Sequence, residues 1–245
     1  MKRYYYDLHI HSCLSPCGDN EMTPENIAGM AKVKGVQIIA LTDHNSSRNC
    51  PAFFKACERH GITAIAGMEL TTAEDIHLIC LFEQLNRAME FDRIIHEKRQ
   101  RIKNRADIFG EQIIMDENDS IFGYEENLLT VATTLSIENA FSLATEQGAV
   151  VYPAHIDRQA NGIITTLGTF PDNPPFGSAE FADIKRLEQY KKRYPLLNKI
   201  KIINSSDAHQ LWNINEKDPT NSIVLDDDTG GHDQIRSALF KYLNG

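Results

Sequence analysis

The sequence predicts an α/β fold on a mainly parallel sheet, and three observations carry that prediction. Strand-like and helix-like segments alternate from residue 4 to residue 155. The strand-like segments are short apolar runs of the kind buried on both faces. Histidines and carboxylates collect at or just after the ends of these runs, where parallel α/β proteins assemble their sites.

The elements follow in order. Residues 4 to 10, "YYYDLHI", read as a strand. Thr23-Pro24-Glu25 opens a helix, with Thr23 as cap, Pro24 in the first turn and Glu25 on the favourable side of the dipole; Gly35 ends it. A buried strand spans 36 to 42, a helix runs from Pro51 to His60 with Gly61 as its stop, and strands follow at 62 to 70 and 76 to 82. From Gln84 to about Phe109 the pattern is helical and heavily charged, and 111 to 135 holds a short strand near Ile113 and a loop. Ser136 caps a helix to Gln147, and 149 to 155 returns to strand. Residues 157 to 178, rich in Gly and Pro, read as a long loop of the kind that forms lids. Strands near 178 to 183, 199 to 206 and 222 to 226, and helices near 184 to 192 and 231 to 243, complete the chain. The length suits a single domain over 1–245, with residues 84–135 as a helical and loop insertion.

Composition narrows the function classes. An apolar fraction of 42% supports a sizeable core. The net charge of −9 argues against non-specific binding of long nucleic acid, which depends on Lys and Arg meeting phosphates. It leaves room for an anionic substrate at a cation-bearing site. The five cysteines form no even framework and suit a reducing cytoplasm, and no signal-peptide core or membrane-length apolar run is present.

The chemistry lies in the histidines. His9 and His11 stand two apart on a strand, so both imidazoles face the same way and can share one cation. His44, His77, His155 and His209 also fall at or beside strand ends, whereas His60, His96 and His232 sit in or beside helices and read as ordinary histidines. Carboxylates join the first set: Asp19 after His11, Asp43 in "LTDHN", Glu69 in "AGMEL" and Asp207 in "SSDAH". A set of His, Asp and Glu without obligatory Cys suits Zn, Mn or Fe, and its size exceeds the need of one ion, so two or three divalent ions are expected.

Taken together, "DLHIHS", "LTDHN", "GME", "PAH" and "SSDAH", in that order, resemble the PHP (polymerase and histidinol phosphatase) family over roughly residues 4 to 210. The resemblance implies a distorted (β/α)7 barrel with a trinuclear centre at the carboxyl ends of its strands, and hydrolysis of phosphate esters. It assigns His9, His11, Glu69 and Asp207 to one ion, with Glu69 bridging to a second ion completed by His77 and His155. Asp19, His44 and His209 hold the third, although "SCLSPCGDN" is longer than the loop many members place there. Asp43 falls to orienting a ligand or a water rather than to binding metal directly.

The expected activity is metal-dependent cleavage of a phosphate ester by water activated between two ions. Asp207, His209 and Arg158 are the residues expected to carry catalysis, Arg158 as a clamp on the phosphoryl oxygens. The expected partner is a small phosphorylated molecule (a sugar, amino-alcohol or nucleotide phosphate), with neither long nucleic acid nor membrane. Two rivals remain: a hydrolase of a non-phosphate bond such as an amide, and a non-catalytic metal-binding module. Cys13 and Cys17 lack a second pair and read as small loop residues; the charged run 92 to 105 reads as a solvated helix face. Glu180 is open between an outer partner of the site and an ordinary strand carboxylate.

Overall fold

The computed structural model describes residues 1–226 and 230–244. Its elements in chain order are β1 (Lys2–Ile10), α1 (Pro24–Lys34), β2 (Ile38–Leu41), α2 (Cys50–His60), β3 (Thr63–Thr71), β4 (His77–Phe82), α3 (Leu85–Lys98), α4 (Ala106–Phe109), β5 (Ile113–Met115) and β6 (Ile121–Tyr124). Then come α5 (Ile137–Glu146), β7 (Val150–Pro153), α6 (Ile163–Leu167), β8 (Ser178–Glu180), α7 (Leu187–Arg193), β9 (Lys201–Ile203), β10 (Ser222–Leu225) and α8 (His232–Asn244). Helix boundaries follow local chemistry. The Thr23 hydroxyl accepts from the Asn26 amide at the start of α1, and Gly35 ends that helix in the left-handed region at φ 74°.

A six-stranded sheet runs in the order β10-β1-β2-β3-β4-β7, and β8 and β9 form a separate parallel pair. Two hydrogen bonds join the pair to the sheet on either side. Ile156 N donates to Glu180 O, next to the end of β7, and His11 N donates to Ala208 O, beyond the end of β1. The strands β1, β2, β3, β4, β7, β8 and β9 thus curl into a distorted seven-stranded barrel, as the resemblance implied.

The parallel order expected for the early strands holds for β1, β2 and β3 but not for β4, which runs antiparallel to β3 and to β7. The cause is connection length. Only Thr72–Ile76 separates β3 from β4, closed by Thr72 N donating to Ile76 O, whereas a parallel crossover needs about a dozen residues or more.

Alternation along the strands divides the core. Ala64, Ala66, Met68 and Leu70 of β3 pack outward with Phe53, Phe82 and Phe91 beneath the helices. Ile65 faces inward with Tyr4, Tyr6 and Leu8 of β1 and Leu239 and Phe240 of α8. In β1 the phase changes partway. The register against β2 slips between Asp7 and Ile10, so three steps of β1 oppose two of β2. Before this bulge the even-numbered Tyr4, Tyr6 and Leu8 face inward; beyond it Ile10 joins the outer layer. His9 and His11 are thereby turned to the inner side, at the mouth.

Residues 84–135 depart from the sequence reading. The helix stops at Lys98 and the chain continues extended. Arg99 is buried and paired with Glu125 at 3.1 Å, and Glu125 also binds Arg48, so the charged run is not wholly a solvated face. The hairpin of β5 and β6 supplies a strand, β6, that the sequence did not reveal. The long loop 157–178 contains the short α6. No helix among the described residues is long and apolar enough to cross a membrane.

Candidate metal centre

Six chain segments deliver side chains to one end of the barrel. His9 and His11 come from β1 and the residue after it, His44 from the turn after β2, and Glu69 from near the end of β3. His155 follows β7, and Asp207 and His209 follow β9. His77 arrives differently. It is the first residue of β4, and only the reversal of that strand puts it beside the end of β3, opposite Thr71.

Glu69 is the hub. One of its oxygens lies 2.8 Å from His77 Nδ1, 3.1 Å from His155 Nε2 and 3.3 Å from His9 Nε2. The other lies 3.0 Å from His44 Nδ1 and 3.2 Å from His11 Nε2. Asp207 Oδ1 stands 3.2 Å from His9 Nε2 and 3.1 Å from His11 Nε2. The His11 and His209 rings stack with centroids 4.1 Å apart. Three groupings have ligand atoms mutually close enough to hold a cation: His9, His11, Glu69 and Asp207; His44, Glu69 and His77; and His11, His44 and His209.

An outer layer fixes the tautomers. His9 Nδ1–H donates to Glu180, whose oxygens lie 2.9 and 3.1 Å away. His11 Nδ1–H donates to Ser15 Oγ at 2.9 Å, and Ser15 in turn donates to Asp43 at 2.7 Å. His209 Nδ1–H donates to the Asp207 carbonyl at 2.9 Å. Each of these three imidazoles therefore presents the lone pair of Nε2 to the cluster. Asp43 also accepts from the Ser12 amide and hydroxyl, which ties down the loop after His11. Two of the converging residues are held in the left-handed backbone region, His155 at φ 29° and Asp207 at φ 52°. Such conformations cost about 1–3 kcal/mol each and persist where the surroundings over-determine them.

The electrostatics are those of a cation site. Burial opposes charge on His9, His11 and His44, yet the carboxylates beside them win. His9 is held well above the usual histidine range by Glu180, Asp207 and Glu69, and His11 and His44 are pushed up to about 9. Burial would raise Glu69, but His77, His9 and His44 hold it well below the carboxylate range, and His9 and His11 do the same for Asp207. His209 moves down to about 3, through burial and the charge on His11. His44 Nδ1, His155 Nδ1 and Asp207 Oδ1 are buried without a hydrogen-bond partner of good geometry. Converging lone pairs, orphaned buried polar atoms and an all N/O donor set fit divalent cations.

Of the nine residues read as metal ligands, His9, His11, His44, Glu69, His77, His155, Asp207 and His209 converge in this cluster. Asp19 does not. Its carboxylate accepts from the Glu21 amide at 2.9 Å, while its own amide donates to His209 O. Arg158 reaches the mouth and pairs with Asp207. His60, His96 and His232 lie elsewhere, bonded to Glu25, Arg99 and Thr63. Two supporting residues had no decisive sequence signal. Glu180 proves to be the outer partner of His9, and Ser15 the link between Asp43 and His11; their value lies in contacts across 171 and 28 residues of chain.

The PHP domain family matches residues 7–173. An uncharacterized protein of Methanocaldococcus jannaschii is 36% identical over 76 residues, which cover 28% of this chain and 44% of that protein. A 5′-3′ exoribonuclease of Haemophilus influenzae is 28% identical over 102 residues, covering 38% of this chain and 36% of that one. The chain thus spans less than half the length of the curated relatives it matches. Among solved structures, the lesion-specific endonuclease Q of Pyrococcus furiosus superposes with a TM-score of 0.68 at 20% identity, over 98% of this chain and 56% of that one. Endonuclease Q in complex with a 27-mer duplex bearing an abasic lesion at its active site superposes at 0.61 and 19% identity, over 100% of this chain and 58% of that one.

That duplex overturns the expectation of a small phosphorylated partner and of no long nucleic acid. The expectation rested on the net charge of −9, which is a sum over the whole surface. A sum does not describe the local field at the mouth, where Arg158 stands and where bound cations would reverse the sign. By the span of the family match and the ordered convergence of its motif residues, the chain belongs to the PHP domain family.

Proposed function

We propose that the chain is a metal-dependent phosphodiesterase acting on a nucleic-acid strand. The observation that carries this reading is Glu69, one buried carboxylate whose two oxygens are each shared among imidazoles from different strands. That is the donor arrangement for adjacent cations with a common bridge. His9, His11, Glu69 and Asp207 would hold one ion, and Glu69 with His77 and His155 an adjacent one. His44 and His209, beside His11, face a third position. Bound there, such ions activate water and neutralise charge on phosphoryl oxygens.

The chain's own residues do the rest. Glu180 and Ser15 keep His9 and His11 in the tautomers that face the ions. Arg158 is 44% exposed at the mouth while its guanidinium reaches Asp207, so it can take a phosphoryl oxygen as the substrate arrives. His209, held neutral, keeps its Nε2 lone pair available at physiological pH.

The shape of the mouth favours a polymer. The cavity bounded by His44, Glu69, His77, His155, Arg158, Asn161, Asp207 and His209 is open and has a volume of about 200 Å³. Pockets that engulf whole small ligands run from about 300 to 1,000 Å³. This one accommodates a phosphate group on a substrate that stays mostly outside. The exoribonuclease and endonuclease activities named for similar proteins point the same way.

The test is cleavage by the full chain, loaded with Mn or Zn, of end-labelled RNA and DNA strands and of a duplex with an abasic site. A nucleoside monophosphate and an amide substrate complete the panel. Strand cleavage is expected, with His9→Ala and Asp207→Ala losing about three orders of magnitude, on the scale of removing a principal stabilising group. A filled metal centre that turns over only the monophosphate or the amide would refute the reading.

A further inference from the structure

The mouth of the metal centre has a rim that is not part of the cluster. Nine described residues line the cavity; six belong to the cluster, and the other three, Arg158, Ala160 and Asn161, come from the turn after His155. This turn is tightly built. Arg158 N donates to His155 O at 2.9 Å, and Thr165 Oγ1 donates to Arg158 O at 3.0 Å. A Cβ at Gly162 would stand 2.4 Å from Arg158 O, so this close approach needs glycine.

Asn161 fastens this rim to the turn that carries His77. Its carbonyl accepts from His77 N at 3.1 Å, and its Nδ2 donates to Asp75 O at 3.0 Å. It sits at φ 58°, in the left-handed region, which asparagine visits more readily than other residues with a side chain. A carbonyl such as Asp75 O can only accept, so Nδ2 faces it and the amide cannot be reversed without losing the bond. Asn161 Oδ1 accepts from none of the described residues. Among the described residues of the rim it is the one uncharged side-chain acceptor, three positions along the turn from the Arg158 guanidinium.

With a phosphate held at the cations, the next group of a strand is its sugar. A deoxyribose within a chain has no hydrogen-bond donor, whereas a ribose has the 2′-hydroxyl, the group by which RNA is told from DNA. We propose that Asn161 Oδ1 accepts from the 2′-hydroxyl of a nucleotide flanking the scissile phosphate, so that the chain prefers an RNA strand to a DNA strand of the same sequence. Arg158 takes the phosphate and Asn161 reads the sugar beside it. The proposal rests on the nucleic-acid reading above and names its strand.

Matched RNA and DNA strands test it on the full, metal-loaded chain, together with RNAs carrying a single 2′-deoxy nucleotide on either side of the scissile phosphate. One neutral hydrogen bond corresponds to about threefold to tenfold, so kcat/KM should favour RNA by that factor. The loss should fall on one of the two flanking nucleotides. Asn161→Gly keeps the left-handed backbone and removes the amide; compared at equal metal content, it should cut RNA and DNA equally. A purely structural role would slow both strands alike and leave their ratio unchanged, and that result overturns the proposal. So does a wild-type chain that cuts the two strands equally, prefers DNA, or ignores both deoxy positions. The wild-type deoxy series decides the matter if the variant fails to fold. All of these outcomes leave the phosphodiesterase reading standing; a metal-filled chain that cuts neither strand brings down that reading and the proposal with it.

Discussion

Replacing Glu180 by Gln should separate the outer layer of the site from the ligands it supports. Glu180 is buried and serves two masters: its carboxylate accepts from His9 Nδ1 and from the His155 amide at 3.1 Å. Gln has one acceptor oxygen and one amino group. If the oxygen stays with His9, the amino group faces the His155 N–H, and a buried donor is left unpaired at a cost of about 1–3 kcal/mol. For a chain of this length that is a fall of roughly 2–12 °C in Tm without metal. Loss of an outer carboxylate on a ligating histidine costs about 10–100-fold in metal affinity. That range equals about 1.4–2.7 kcal/mol, so metal should also raise the Tm of the variant less than that of the wild type. The assay is thermal unfolding in chelator and in a metal series, with Glu188→Gln on the exposed face of α7 as control. Wild-type metal affinity in Glu180→Gln would refute the claim that this contact orients His9.

Further outcomes follow from the same geometry. With metal removed, His9, His11 and His44 hold protons more tightly folded than unfolded, the latter two up to about 9. Their stabilisation is complete below the unfolded value of about 6.5 and is lost as pH rises toward 9, so the metal-free chain should lose Tm across that window. The cations must displace these protons, so apparent metal affinity should climb over the same range, with proton release visible as buffer-dependent heats in calorimetry. A flat affinity from pH 6.5 to 9 would contradict this. Gly110→Ala should loosen the loop over the site without touching a ligand. Gly110 has φ 98°, and a Cβ there would lie 2.1 Å from Pro16 O. A cost of about 1–3 kcal/mol in backbone strain alone is expected, read as a lower Tm and faster hydrogen exchange in residues 12–18. Unchanged exchange in that loop would show that residues 84–135 do not brace it.

Much of the site was legible because its residues sit at positions set by strand periodicity. His9 and His11 could be paired from their spacing alone, and Glu69 and His44 from their places at the ends of apolar runs. What escaped was geometry fixed by chain reversal and by contact at a distance. His77 was read as a strand-end histidine, yet it opens its strand and reaches the cluster because β4 runs backward from a short turn. Asp19 was placed by the family pattern; its amide does bond to His209 O, but its carboxylate accepts from the Glu21 amide and joins none of the three close groupings. Arg99 looked solvated because sequence records charge and not the partner, here Glu125. β6 escaped because Ile121–Tyr124 is exposed and offers no alternation between core and solvent.

The bulge in β1 makes the phase of the first strand a variable separate from its composition. Below the slip, one parity of residues faces the barrel interior; above it, the other does. Without the slip, unbroken alternation from Tyr4, Tyr6 and Leu8 would turn both imidazoles toward the apolar layer beneath the helices, with every ligand of the centre still present in the sequence. The one extra residue of β1 is therefore part of the centre, because it sets the side on which the first two ligands stand.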